Sequence, residues 1–293
     1  MFGLESLFHS GINNVSNNIS IAVTGLQANQ GIPVSITQST SPEQFWITTG
    51  VAVLCGIGIF AIPLVMNKSH PIRKAKATKA FSKLTGRPTL IMDHSKSSLF
   101  KPAMIDRKTV TDITRAMSKF QGRDFNLVLN SGGGEVFSSQ LISDAMKNYK
   151  GRIEIYVPKY AMSGATMLAL SGDHIHMNDY SSLGMMDAQV GSMLSQGSAK
   201  GWEEVTKIKG ARANDNSILF SRVGKQVTQT LQEHVLSLIQ NKTTQASLVV
   251  NFFTSGDREH IYQVKKAKML ELGFTNIRDI LPEENALLCD MVD

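Results

Sequence analysis

At 293 residues, 42% hydrophobic and 18% charged, the chain is long enough for one sizeable globular domain with an appendage, and too apolar to be disordered throughout. Its formal charge of +6 raises the question of a nucleic-acid surface, but the surplus is local. Residues 1–67 carry no Lys or Arg, 68–87 carry seven and no acid, and 88–293 carry 23 bases against 22 acids. No nucleic-acid partner is expected from that distribution. The two cysteines, Cys55 and Cys289, have no evident partner, which excludes a disulfide framework and fits a reducing compartment for the main domain.

Residues 1–44 are rich in Asn, Ser, Gln, Thr and Gly and read as a polar, loosely ordered N-terminal segment. The character then changes: from Gln44 to Asn67 there is no charge. Residues 45–66 therefore predict a transmembrane helix, about 22 residues and on the order of 33 Å long. The competing readings are weaker. A buried core helix would not choose Gly50, Gly56, Gly58 and Pro63, which lipid-embedded helices tolerate better. A cleaved signal peptide would carry its positive charges before the apolar run, not after it. The basic segment 67–88 reads as a juxtamembrane linker that marks the cytoplasmic side and meets anionic membrane lipid. That places 1–44 outside and 89–293 inside, as a single-pass membrane protein with a cytoplasmic C-terminal domain.

From Thr89 onward, short apolar runs alternate with helical periodicity, the pattern of an α/β domain. Candidate strands are Leu90–Met92, Asn126–Leu129, Ile153–Val157 and Ile175–Met177; candidate helices are Lys108–Met117, Gln140–Asn148, Gly164–Leu170, Ser217–Leu238 and Lys265–Leu272. Two strand ends carry chemistry. After Leu129 comes Asn130-Ser131-Gly132-Gly133-Gly134, where three glycines imply backbone approaching something closely. A tight turn or a phosphate cradle would use the same residues, but no Gly-Lys-Ser/Thr follows to make a P-loop. After Val157 and Pro158 comes Tyr160-Ala161-Met162-Ser163-Gly164-Ala165-Thr166, opening a helix of small residues. Alone, Ser163 reads as a helix N-cap. Beside a glycine turn it reads as a nucleophile, with glycine amides placed to hold an oxyanion.

These residues resemble the ClpP/crotonase superfamily, and within it the serine dehydrogenase proteinase group, relatives of the signal peptide peptidase A enzymes. The resemblance covers roughly Thr89 to Val292. It rests on the two turns, on Ser182-Leu183-Gly184-Met185-Met186-Asp187-Ala188-Gln189, and on Thr254-x-Gly256 with His260 ahead of Glu271-Leu272-Gly273. It implies an α/β, ClpP/crotonase-like ββα spiral domain preceded by one transmembrane helix, with the final helices packing against a neighbour in a homo-oligomer. It also implies a membrane-anchored, ATP-independent serine endopeptidase acting on a peptide or protein substrate, with no cofactor and no metal. Ser163 would be the nucleophile, and the amides of Gly133, Gly134 and Gly164 the oxyanion hole.

The general base is less defined. In the ClpP branch a histidine follows the serine by about 25 residues, where this chain has Met186-Asp187-Ala188. An aspartate of ordinary acidity is a weak base at neutral pH, so Asp187 reads as orienting a cation or fixing a turn. The signal-peptide-peptidase branch resembles a Ser/Lys dyad with the lysine 40–50 residues on, which points to Lys209 first, then Lys207, with Lys225 as a third option. A solvated loop at Lys207–Gly210 is the competing reading. His260 matches a group histidine, although the aspartate that follows it there is Ile261 here; it stands as a supporting candidate beside Asp187. His174 and His176 share one strand face and read as a partly buried pair. Two other functions remain open: a catalytically inactive ClpP-like membrane scaffold, and a crotonase-type acyl-CoA enzyme, which would need no serine at this turn.

Overall fold

The apolar strand runs assemble into a five-stranded sheet, all parallel, with helices covering both faces. The computed structural model describes residues 71–95, 103–192 and 195–292. The expected polar segment and transmembrane helix, 1–44 and 45–66, lie outside them. Among the described residues no helix is long and apolar enough to cross a membrane.

The order of elements is helix α1 (71–85), β1 (Thr89–Asp93), α2 (Arg107–Phe120), β2 (Phe125–Asn130), α3 (Val136–Lys147), β3 (Ile153–Val157) and β4 (Tyr160–Ala161). Then come α4 (Gly164–Ser171), β5 (His174–Met177), β6 (Ser182–Leu183), a hairpin of β7 (Gln189–Ser192) and β8 (Ser195–Ser198), α5 (Ala199–Lys209) and α6 (Asp215–Ile239). The chain closes with α7 (Ala246–Thr254), β9 (Val264–Lys265), α8 (Lys266–Glu271), β10 (Ile277–Asp279) and α9 (Pro282–Met291). The main sheet has the order β1-β2-β3-β5-β10, and β4, β6 and β9 form a small second sheet.

Two-residue alternation sorts the main sheet into unlike faces. One carries Leu127, Leu129, Ile153, Ile155, Val157, Ile175 and Met177 into the large core shared with helices α2, α3, α4 and α6. The other carries Val128 and Tyr156 together with the polar residues Asn126, Glu154, His174 and His176. Helices α1 and α9 cover this second face with Ala77, Phe81, Leu288 and Met291. The final helix, absent from the sequence-predicted elements, packs on its own sheet. Within the basic segment read as a linker, residues 71–85 are helical; Ala77 and Phe81, four apart, face inward, while Lys76, Lys79 and Lys83 stay exposed. Lys74 pairs with Asp93 at 3.0 Å.

The second face is held by hydrogen bonds as much as by area. Glu154 lies between His174 Nδ1 at 3.1 Å and His176 Nε2 at 2.8 Å. Tyr156 stacks on His176 with centroids 4.1 Å apart and donates its hydroxyl to Glu284 at 3.0 Å. The His176 hydrogen bond, aided by His174 and opposed by burial, holds the Glu154 carboxyl down at about 2. A folded-state value below the ordinary one means that this carboxylate stabilises the fold above pH ~4.5 and loses that contribution as pH falls toward 2. Glu154→Gln is therefore expected to flatten the acid limb: between pH 4.5 and 2, denaturant-measured stability of the wild type should fall more steeply than that of the variant.

Candidate active site

All five strands of the main sheet run the same way, so their carboxyl ends share one edge, the usual location of a site in such sheets. At that edge the glycine segment after β2 and the serine turn after β3 lie side by side. Ser131 donates its amide to Tyr160 O at 3.1 Å and accepts from Met162 N at 2.9 Å. On the opposite flank, Ile105 N donates to Gly133 O and Glu135 N donates to Ile105 O, each at 2.9 Å. Gly133 and Gly134 are thus clamped between Ile105 and the serine turn.

No side chain fits at these glycines. A Cβ on Gly133 would stand 2.7 Å from Ser163 Cβ and 2.6 Å from Met162 O, and its φ of +102° strains any L residue. A Cβ on Gly134 would stand 2.2 Å from Ile105 O, and one on Gly164 would meet Ser139 Oγ at the same distance. The glycines are there because two backbones must touch.

Ser163 stands where α4 begins, half-buried, with φ 52° and ψ −125°. An N-cap serine is extended and accepts from the first helical turn through its hydroxyl. Ser163 is not extended and makes no side-chain cap bond. The capping reading fails here, and the hydroxyl is left for other work at a backbone cost of order 1–3 kcal/mol. Its carbonyl accepts from Thr166 N at 2.9 Å. Thr166 Oγ1 donates to Ala161 O at 2.7 Å and accepts from Gly184 N at 3.0 Å, tying the turn to β6.

The three glycine amides are not equivalent. Gly133 N donates to Ser131 Oγ at 3.2 Å, and that hydroxyl also bonds His94 Nδ1 at 3.0 Å. Its N–H is therefore occupied. In the bridge to Ile105, Gly133 O and Glu135 N make the bonds, which leaves the Gly134 amide facing the other way, toward the serine turn; it lies 3.5 Å from where a Gly164 Cβ would be. Gly164 N opens α4, where helix amides have no partner within the helix. Gly134 and Gly164 thus supply two amides beside Ser163, at a helix N-terminus that favours negative charge.

The candidate bases divide sharply. Lys207 is ion-paired with Glu203 at 2.7 Å and 71% exposed; Lys209 and Lys225 are exposed as well. Lys207 and Lys209 belong to α5, which buries no residue, and not to a loop. The lysine that burial does lower, to about 8, is Lys242. It donates to Leu170 O at 2.7 Å and Gly172 O at 2.8 Å, at the far end of α4, about 12 Å along the helix from Ser163. It serves the helix, not the serine. Lys200, just inside α5, escaped the sequence window: its Cβ and that of Asp187 both face Gly256, 3.2 and 3.8 Å from where a Cβ would stand there. Its ammonium pairs with Asp257, which raises its pKa.

Asp187 and His260, 73 residues apart, meet: His260 Nδ1 lies 2.6 Å from Asp187 Oδ1, and Gln189 Nε2 donates to Asp187 Oδ2, also at 2.6 Å. Asp187 is buried and His260 one-third exposed. Met186 N donates to Phe253 O at 2.8 Å, and Arg258 lies 4.2 Å over the Phe252 ring, so α7 anchors both partners. The sequence offered each residue separately but held no sign of the pair. Nor did it mark Ser139, whose buried hydroxyl finds no hydrogen-bond partner among the described residues and abuts Gly164, or the His94–Ser131 bond. Such residues could be found only by asking what stands opposite a required glycine. Among the described residues there is no cluster suited to a metal ion.

A serine freed from capping beside two amides on an α/β sheet is the arrangement that acyl transfer by serine hydrolases uses. Residues 59–291 match the ClpP-like SDH-type serine proteinases, and the chain belongs to that family. By class it is a serine peptidase with a ClpP-like α/β fold. Two uncharacterised proteins of Methanocaldococcus jannaschii are similar to it: one is 25% identical over 223 residues, 73% of this chain and 75% of the relative. The other is 26% identical over 238 residues, 78% and 82%. Similar solved structures include a membrane-bound stomatin-specific protease (16% identity, 60% of this chain and 75% of that one, TM-score 0.44). ClpP1 from Listeria monocytogenes is another (14%, 69% and 98%, TM-score 0.44).

The turn itself can be tested. Gly133→Ala is expected to destabilise the fold by about 2–4 kcal/mol, because positive φ and backbone contact act together, measured as a shift in the urea midpoint. Gly132→Ala, where a Cβ meets nothing within 4 Å, should stay within about 0.5 kcal/mol.

Proposed function

We propose that the protein is a membrane-anchored, ATP-independent serine endopeptidase in which Ser163 attacks the peptide carbonyl. The observation that carries this reading is the Ser163 backbone, held at φ 52° with its hydroxyl unused for capping. Strain of this kind at a single polar residue is what nucleophile turns share. The amides of Gly134 and Gly164 take the oxyanion; losing one such donor typically raises the barrier by about 3 kcal/mol. Phe137, 62% exposed, and Leu141 lie on α3 just past the glycine turn, which supports extended peptide segments with apolar side chains as substrate.

Membrane anchoring is supported by the uncharged run 44–67 and the seven bases that follow it. The positive-inside rule places the peptidase domain in the cytoplasm. Homo-oligomerisation is supported by family membership and by α5, which leaves Ile208 82% exposed. A lysine base is a second reading, favoured by chain position: Lys207 and Lys209 follow Ser163 at the dyad spacing, and each would need a second copy to bury its amine.

A fluorophosphonate probe tests the nucleophile in the full-length protein reconstituted in lipid. The wild type should label and Ser163→Ala should not, while an unfolding midpoint within about 2 °C shows that the fold survives. Peptidase kcat/KM should fall at least ~10³-fold in the same variant. Equal labelling of both proteins would overturn the assignment, and a folded wild type that never labels would mark an inactive scaffold.

A further inference from the structure

We infer that His94 is a positioning residue for the oxyanion site: acting through the Ser131 hydroxyl, it fixes the glycine turn so that the Gly134 amide stays beside Ser163. The inference rests on the reading of Ser163 as nucleophile and adds to it a residue from a third strand end, that of β1.

The turn needs such a device because it is made of glycine. Gly132, Gly133 and Gly134 have no Cβ to bias their peptide planes, so hydrogen bonds must choose the orientation. Gly133 stands at φ +102°, and the planes on both sides of it are held. The plane before it is held through its N–H, which donates to Ser131 Oγ at 3.2 Å. The plane after it is held through its carbonyl, which accepts from Ile105 N at 2.9 Å. In a trans peptide the C=O and the following N–H point in opposite directions, so this second bond is what turns the Gly134 amide toward the serine. Releasing the first plane leaves Gly133 free to rotate, and the second plane with it.

The direction of each bond follows from the hydrogens available. Ser131 Oγ carries one hydrogen and already receives the Gly133 N–H; among the described residues the acceptor beside it is His94 Nδ1, at 3.0 Å. The chain therefore runs from Gly133 N–H to Ser131 O–H to His94 Nδ1, with the lone pair on Nδ1 and the ring hydrogen on Nε2. Ser131 is fully buried, away from competing water. His94 is held in register: β1 and β2 pair as far as Asp93 and Asn130, and His94 N continues the ladder to Asn130 O at 2.8 Å. The neighbouring carboxylates have their own tasks. Asp93 accepts from Lys74, Asn130 and Ser95, and Asp106 caps α2 through Thr109 N.

This relay works only with a neutral imidazole. A proton on Nδ1 turns the acceptor into a donor, so that Gly133 and His94 both aim hydrogens at Ser131 Oγ and the hydroxyl hydrogen loses its acceptor. Burial holds the His94 pKa below its ordinary 6.5, against the pull of Asp106 at the start of α2 and of Asp93 in β1, the latter itself paired with Lys74 of α1. At neutral pH the ring is therefore uncharged and able to accept.

Peptide hydrolysis by the full-length protein in lipid, with kcat taken per fluorophosphonate-labelled site, tests this. His94→Ala and Ser131→Ala should each lower kcat about 10- to 100-fold with KM within about threefold, as displacing an oxyanion donor does when substrate contacts stay intact. The double variant should lose no more than the worse single one, because both remove the same link. His94→Asn, whose side-chain oxygen can stand where Nδ1 stood, should recover most of the loss. Having nothing to protonate, it should also show a shallower fall in kcat than the wild type as pH drops below 6.5. A purely structural role would lower the melting midpoint and leave kcat per labelled site alone. A His94→Ala protein within about threefold of wild type per labelled site, additive losses in the double variant, or a His94→Asn protein with the wild-type acid limb overturns the inference. If His94→Ala does not fold, the acid limb of His94→Asn decides by itself. If Ser163→Ala still labels and cleaves, the reading of the nucleophile fails first, whatever His94 does.

Discussion

The contact between Gly133 and Ser163 is the constraint on which the rest of the site depends. Two strand ends of a parallel sheet are brought so close that a Cβ on Gly133 would stand 2.7 Å from Ser163 Cβ. Everything else follows from that approach. The glycine segment must take a positive φ at Gly133, the serine is pushed out of the capping conformation, and the amides of Gly134 and Gly164 lie beside it. Strain at Ser163 is sustained because Thr166, Ser131 and Ile105 hold both chains from behind. Each of those bonds lies in the interior, where an unmade bond would cost about 1–3 kcal/mol.

The sheet behind the site explains why the turns stay put. Its first face is apolar and packed by α2, α3, α4 and α6; its second carries Glu154, His174, His176 and Tyr156 under α1 and α9. Polar residues in a sheet interior are tolerable when each finds a partner, and here a single carboxylate takes two imidazoles. The helix in the basic segment contributes to this face through Phe81, edge-on to Tyr156 with centroids 4.9 Å apart. A stretch that the sequence marked as a linker is thereby part of the folded domain.

Much of this was legible in the chain. Four of the five strands of the main sheet, β1, β2, β3 and β5, were marked by short apolar runs, because at least one face of each is packed in the core and the polar residues of the other face interrupt those runs only singly. Gly133, Gly134, Gly164 and Ser163 were marked by type, since few other uses put three glycines at one strand end and a serine at the next. Less legible were α5 and α9. Helix α5 buries nothing, so no apolar stripe announces it, and α9 is short and carries three acids among its ten residues. The general base was left as a choice among lysines for a different reason. Lys207 and Lys209 have the right spacing, but spacing along the chain says nothing about which way a helix turns its side chains.

The sequence by itself determined the kind of chemistry: a serine at a helix start, glycine amides at the adjoining turn, and a charge pattern that separates an uncharged run from a balanced domain. Those are local properties, fixed by residue type and a few neighbours. Only the tertiary structure decided which amides are free, that Lys242 serves the helix, and that Asp187 and His260 share a hydrogen bond across 73 residues. Partners of that kind are set by strand register, which in the β4–β6–β9 sheet is a property of three separated segments at once and of none of them alone.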